Sequence, residues 1–171
     1  VIFASIGSML PFDRFVRAVD EWARDNPSEE VFIQIGEGEY EPVHAPFARM
    51  LPISEYRRRL RECDLFVAHV GMGSILQGLE ARAQMLLLPR DIALREHTTD
   101  HQIHTARRFQ GRPGLRIVET TEALREEMTR LLREPMRVGG GDFSTKASPQ
   151  LLDAVATFLK GGTPTPITKA G

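Results

Sequence analysis

Several kinds of site are excluded by what this sequence lacks. It has one cysteine in 171 residues, Cys63, so an internal disulfide is impossible and a reducing compartment fits. Formal net charge is only -1, which leaves no bulk electrostatic case for binding nucleic acid or an anionic membrane. No apolar run approaches the roughly 20 residues of a membrane span. No leader-like segment precedes the first apolar run, and the expectation is a cytoplasmic protein. If it works at a membrane, something else holds it there. The Lys of a phosphate-binding P-loop is missing. So is the third glycine of a dinucleotide fingerprint, because Leu76 stands three positions after Gly73.

What is present is an ordinary globular composition, with 42% hydrophobic and 26% charged residues, enough for one domain with a real core. Its most informative stretch is Asp64 to Glu80, DLFVAHVGMGSILQGLE. Leu65-Phe66-Val67-Ala68 has the length and composition of a buried strand. Ile75, Leu76 and Leu79 then fall at helical spacing. Between them lie His69, Gly71, Met72, Gly73 and Ser74, where a strand ends and a helix begins. Such a junction offers free backbone N–H groups and the positive end of a helix dipole, which attract phosphate. Glycine permits close backbone approach, and His69 and Ser74 add side-chain donors. A tight turn is the plainer reading of the same residues.

A second junction of this kind opens the chain. Val1 to Ile6 reads as a strand, Gly7-Ser8 follows, and Pro11 suits the first turn of a helix striped by Phe12, Phe15, Val16, Val19 and Trp22. Further strands are expected at Val31–Ile35, Phe47–Leu51, Met85–Pro89 and Leu115–Val118. Helices are expected at Glu55–Glu62, Asp100–Phe109, Thr121–Leu132 and Pro149–Lys160. Arg57, Arg58, Arg59 and Arg61 could touch a partner or lipid headgroups, although a solvated helix face explains them as well. Alternating strands and helices predict an α/β fold: a Rossmann-like parallel sheet with helices on both faces. Residues 1–160 form one domain in this reading, and 161–171 a flexible tail. Ligands of such sheets bind beyond the carboxyl ends of the strands. Gly7-Ser8, Leu51-Pro52, His69–Ser74 and Arg90–Gln102 all come to that edge.

The polar stretch Glu96 to His104 admits three readings. His97, His101 and His104 are spaced for one helix face and could bind a metal, but there is no HExxH arrangement and no Cys among them. Asp100 could cap a helix. Or Asp100, His101 and Gln102 could bind a polyhydroxylated ligand, since carboxylates and amides supply the paired donors and acceptors that sugars need.

Gly7-Ser8, QIGEGEY at Gln34–Tyr40, HVGMGS at His69–Ser74 and PRDIALREHTTDHQ at Pro89–Gln102, in this order and spacing, resemble the C-terminal, donor-binding half of glycosyltransferase family 28. The likeness is greatest to the stand-alone catalytic subunits of split transferases. These are the bacterial exopolysaccharide type (PssE/EpsF) and the cytosolic subunit of the eukaryotic dolichol-linked GlcNAc transferase. The resemblance covers roughly residues 1 to 135. It implies a GT-B C-terminal half-domain that binds a UDP-sugar such as UDP-GlcNAc without a metal or other cofactor, and inverts the anomeric centre in one displacement.

By the same resemblance, Gly7, Ser8, His69, Gly71, Met72, Gly73 and Ser74 bind the diphosphate. Leu51, Pro52, Ile53 and Gln77 hold the uridine. Asp100, His101 and Gln102 contact the donor sugar. Glu96 and His97 are candidates for the base that deprotonates the acceptor hydroxyl, a role a partner could fill instead. The acceptor would be a lipid-linked saccharide presented by a membrane-anchored partner subunit, which recruits this chain to the inner face of the membrane. The alternative is a non-catalytic nucleotide-sugar-binding or scaffold subunit. Three positions depart from the family pattern: Gln77 where relatives have Glu, and Arg82 and Gln84 where they have Gly and Pro.

Overall fold

The computed structural model describes residues 1–98 and 101–138. Strands and helices alternate along them: β1 (Ile2–Ser5), α1 (Asp13–Asp25), β2 (Val31–Gln34), β3 (Phe47–Ala48), α2 (Ile53–Glu62), β4 (Leu65–His69), α3 (Met72–Glu80), β5 (Met85–Leu88), α4 (His101–Phe109), β6 (Leu115–Ile117) and α5 (Thr121–Arg133). The strands form one parallel sheet in the order β3-β2-β1-β4-β5-β6. The chain winds outward from β1 through β2 to β3, then returns to β1's other side to begin β4. Ile2 therefore sits opposite both Val31 and Leu65. Central parallel strands are covered on both faces, which is why β1, β4 and β5 read as unbroken apolar runs.

On one face, α1 presents Phe15, Val16, Val19 and Trp22, and α5 presents Leu124, Met128 and Leu131, to Ile2, Ala4, Ile33 and Leu65 of the sheet. The two helices are tied where Trp22 Nε1 donates to Thr129 Oγ1 at 2.9 Å. Asn26 ends α1 by donating its side-chain amide to the Trp22 carbonyl, and Thr120 starts α5 by accepting from the Ala123 N–H. The opposite face alternates with the first, as strand geometry requires. There Phe3 stacks on Phe66 at 5.6 Å between ring centroids, and Tyr56 of α2 meets Phe3 edge-on at 5.1 Å.

The fold differs from the sequence expectation in small ways with local causes. β3 is short because the continuation of β2 turns away at Gly36, whose φ is 57°. Two members of the basic run of α2 are paired: Arg58 bridges Glu55 and Glu62, and Arg59 pairs with Glu55 while lying 3.5 Å over the Phe32 ring. The two departures before β5 have distinct characters. Arg82 occupies a left-handed conformation, φ 55°, that a glycine would adopt without strain. Gln84 is buried and useful: it donates to the carbonyls of Asp64 and Leu131 and accepts from the Met136 N–H. It thereby fastens β4, α5 and the segment after α5 to one turn. The expected helix at Pro149–Lys160, the tail at 161–171 and Asp100 lie outside the described residues.

Candidate functional site

The switch point of the sheet lies between β1 and β4, where the strand order reverses. After β1 the chain leaves for α1 on one face; after β4 it leaves for α3 on the other. Diverging connections open a crevice at the carboxyl ends of these two strands. A cavity of about 450 Å³ occupies it.

His69, the last residue of β4, stands at the cavity's centre between two glycines. Gly7, at φ 77°, and Gly71 both face the imidazole so closely that a Cβ on either would overlap it. Burial, then the nearby charges of Arg90 and His97, push the His69 pKa down to about 3. The ring is therefore neutral at physiological pH. Its Nδ1 is shielded from water and has no hydrogen-bond partner among the described residues. Beyond it, α3 begins at Met72 behind Gly71, which has no side chain to cap the helix. The first-turn N–H groups and the dipole end are left for an anion.

A polar network supports this loop pair from beneath. Ser5 Oγ donates to Gln34 Oε1 at 2.6 Å and accepts from the Gly7 N–H. Gln34 Nε2 donates to the carbonyls of Gly7 and Arg49. Burial raises the Tyr56 pKa against the opposing influence of the Ser5 and Ser74 hydroxyls, and Tyr56 stands in the cavity wall. Buried polar groups that are mutually satisfied hold one geometry.

The apolar part of the cavity lining comes from residues such as Met50, Leu51, Ile53 and Tyr56, and Gln77 lines the same cavity. Gln77 Oε1 is buried without a partner among the described residues, an acceptor waiting for a donor. The remaining wall comes from the segment after β5: Arg90, His97 and Gln102. Gln102 Oε1 accepts from the Arg90 N–H at 3.1 Å, which ties α4 to the end of β5.

Of the residues expected from sequence, Gly7, Ser8, Leu51, Ile53, His69, Gly71, Gly73, Ser74, Gln77, His97 and Gln102 line this one cavity. Four do not. Met72 and Pro52 are exposed at the starts of α3 and α2, and His101 is exposed at the start of α4. Glu96 is turned away: both carboxylate oxygens are held by Arg14 at 2.8 Å, and one also accepts from the Asp91 N–H. The Arg14 guanidinium occupies that carboxylate, and His97, unlike Glu96, lines the cavity. Among the described residues no three His, Cys, Asp or Glu side chains are grouped to hold a metal. The sequence did not single out Tyr56, Gln34 or Arg90 as site residues, although Gln34 and Arg90 lie within the quoted motifs; these two matter through bonds to residues far along the chain.

Residues 1–150 match the model of the glycosyltransferase family 28 C-terminal domain. Among solved structures, a glycotransferase of kitacinnamycin is similar at 23% identity and a TM-score of 0.61, over 78% of this chain and 35% of that one. The glycosyltransferase VinC, solved in complex with DTDP, is similar at 20% identity and a TM-score of 0.53, over 78% and 33%. The spinosyn forosaminyltransferase SpnP gives 19% and 0.52, over 78% and 35%. The chain thus spans about a third of the length of these structures, and the likeness is one of fold. No protein of curated function matches.

Proposed function

The chain belongs to the glycosyltransferase family 28 C-terminal domain family, and on that premise we propose that its cavity binds the nucleoside diphosphate of a sugar donor, specifically a UDP-sugar. The observation that carries this reading is the pairing of an anion-seeking end with an apolar base-sized end in one cavity at the switch point. The N-terminus of α3, neutral His69 and the Gly7–Ser8 loop would receive the diphosphate. The base would lie against Leu51, Ile53 and Tyr56, and Gln77 Oε1 would accept from a ribose hydroxyl. The similar structure solved with DTDP supports a nucleoside diphosphate as the ligand class.

The reaction would be inverting transfer to an acceptor hydroxyl. As the bond from sugar to diphosphate breaks, charge grows on the leaving group. Fixed donors already aimed at that position stabilise it without reorganising. A neutral His69 contributes a directed hydrogen bond rather than a full charge. His97 is the cavity residue with the chemistry of a general base. The acceptor, a lipid-linked saccharide of polysaccharide assembly, would be presented by a membrane-anchored partner that completes the cleft and draws the chain to the inner membrane face. The second reading is a subunit that binds donor without transferring it; Gln77 in place of Glu and the engagement of Glu96 by Arg14 favour it.

Calorimetric titration with UDP, UDP-GlcNAc, UDP-galactose, UDP-glucuronate and dTDP, on wild type and His69→Ala, tests the site. UDP species binding more tightly than dTDP, with loss in the variant, is the expected outcome. No binding by the chain alone or with its co-expressed partner would refute the donor site. Sugar transfer that survives His69→Ala in full would leave only the binding role.

A further inference from the structure

Arg90 is buried, 4% exposed, and none of its described partners is a carboxylate. Its guanidinium instead donates to four main-chain carbonyls. One terminal nitrogen binds Ile6 at 2.8 Å and Leu10 at 2.7 Å. The other binds Pro11 and, at 3.5 Å, Glu96. The guanidinium also lies 4.8 Å over the Phe12 ring. Ile6, Leu10 and Pro11 bracket the loop that carries Gly7 and Ser8, so one side chain holds both ends of that loop. The carboxylate closest in influence, Glu96, has its own charge committed to Arg14. That ion pair joins α1 to the segment after β5, so it spans the same two walls as Arg90.

A cation taken out of water without a counter-charge is costly. Carbonyl dipoles recover part of that cost, and an anion in the adjoining cavity would recover more. Arg90 lines the cavity beside His69. Its burial lowers its pKa to about 10, which still leaves it charged at neutral pH. Neutral His69 and the glycines can supply directed hydrogen bonds, and Arg90 adds a full positive charge to the cavity lining.

We propose that Arg90 is the positioning residue of the anion end of the cavity: it holds the Gly7–Ser8 loop in its receiving geometry and provides the counter-charge for a diphosphate. The inference rests on the nucleoside diphosphate reading for the identity of the ligand, but not for the charge preference itself. Two consequences separate it from a merely structural role. Arg90 must discriminate between charged and neutral ligands. A lysine must restore the charge while failing to hold the loop, because an ammonium cannot reach four carbonyls in a planar fork.

The test is calorimetric titration of the full chain with UDP, uridine and inorganic pyrophosphate, on wild type, Arg90→Met and Arg90→Lys, with circular dichroism to check folding. Arg90→Met is expected to weaken UDP and pyrophosphate by about 30-fold and uridine by less than about threefold, with Arg90→Lys between wild type and Met for the anions. Should Arg90→Met fail to fold, the Lys variant decides: a loss confined to the anions supports the role. Parallel losses for UDP and uridine, or unchanged anion binding, would overturn it. Wild type that binds pyrophosphate in an Arg90-dependent way but not UDP would refute the nucleotide reading and leave this inference standing. Wild type that binds neither anion, alone or with its co-expressed partner, would overturn both.

Discussion

The Gly7 backbone and the His69 imidazole share a space that admits only one of two groups, a ring or a Cβ. Gly7 ends up there because β1 and β4 are paired in register, Ser5 opposite Ala68, so the residues just beyond each strand converge. Gly71 closes on the ring's other side. The two glycines are therefore not equivalent to the flexible glycine of a turn. They set the position of the His69 side chain, which lines the cavity between them.

Replacing them should separate strain from collision. Gly7→Ala adds both, since φ 77° is unfavourable for alanine and the Cβ meets the ring. Gly71→Ala adds only the collision, because its φ of -99° suits any residue. Both variants are expected to lose UDP binding by at least about tenfold through displacement of His69. Gly7→Ala should be the less stable of the two by about 1 kcal/mol. Urea denaturation alongside calorimetry measures both quantities.

Arg82→Gly should stabilise the protein. The substitution relieves the left-handed conformation at φ 55°, worth roughly 1–2 kcal/mol, against about 0.5–1 kcal/mol lost to a more flexible unfolded chain. A rise in Tm of a few degrees, about 1–4 °C, is the expected result, and a fall would show that Arg82 makes a compensating interaction.

His69 should make stability fall with acid in a characteristic window. Its folded pKa, about 3, lies below the unfolded value near 6.5. Below pH 6.5 the unfolded chain gains a proton that the folded chain refuses. This contribution is therefore flat above that pH and weakens stability by about 1.4 kcal/mol per pH unit as the pH falls toward 3. His69→Gln should remove that slope, read as the difference between two denaturation series. A His69 resonance titrating near 6.5 in the free protein would contradict the burial argument.

Asp20 should act through the opposite sign. It is a buried carboxylate that accepts from the Tyr40 hydroxyl at 2.7 Å and from the N–H groups of Val43, His44 and Ala45. Burial alone would raise its pKa, but these bonds outweigh it and hold the carboxyl below its ordinary value of 3.8. Asp20 stabilises the loop before β3 fully above that value, and the contribution is lost as the pH falls through the lowered one. Asp20→Asn should cost about 2 kcal/mol at pH 7, and the gap to wild type should narrow as the pH falls through the lowered Asp20 value.

How much of this could be read from sequence depended on the range over which each signal acts. The apolar runs of β1, β4 and β5 and the stripe of α1 are local patterns, and the structure has them where they were expected, within a residue or two. His69, Gly71 and Gly73 sat at a recognisable strand-to-helix junction, and the family match over residues 1–150 agrees with the resemblance they suggested. Arg90 and Glu96 are different. Arg90 acts on carbonyls about 80 positions earlier, and Glu96 is claimed by Arg14, 82 positions away. No spacing rule reaches across such gaps, so Glu96 looked like an available base and Arg90 like a loop cation. His101 and Gln102 were expected together, but on α4 Gln102 turns toward the cavity while His101 is exposed.

The placement of β1 between β2 and β4 has a consequence for how the protein assembles. The first three strands can gather from the first 48 residues alone, as a local winding of strand, helix and strand. That half-sheet leaves one edge of β1 bare until β4 arrives, more than 60 residues after β1 in the chain. Such non-local pairing is the slow kind of step, since a long loop must close before any contact rewards it. The seam where β4 docks is also the seam where the cavity lies. Pairing of β4 with β1 is therefore also what completes the binding site. A ligand that spans the seam holds the two half-sheets together, so the rate at which they part in its presence reports on binding as directly as any titration.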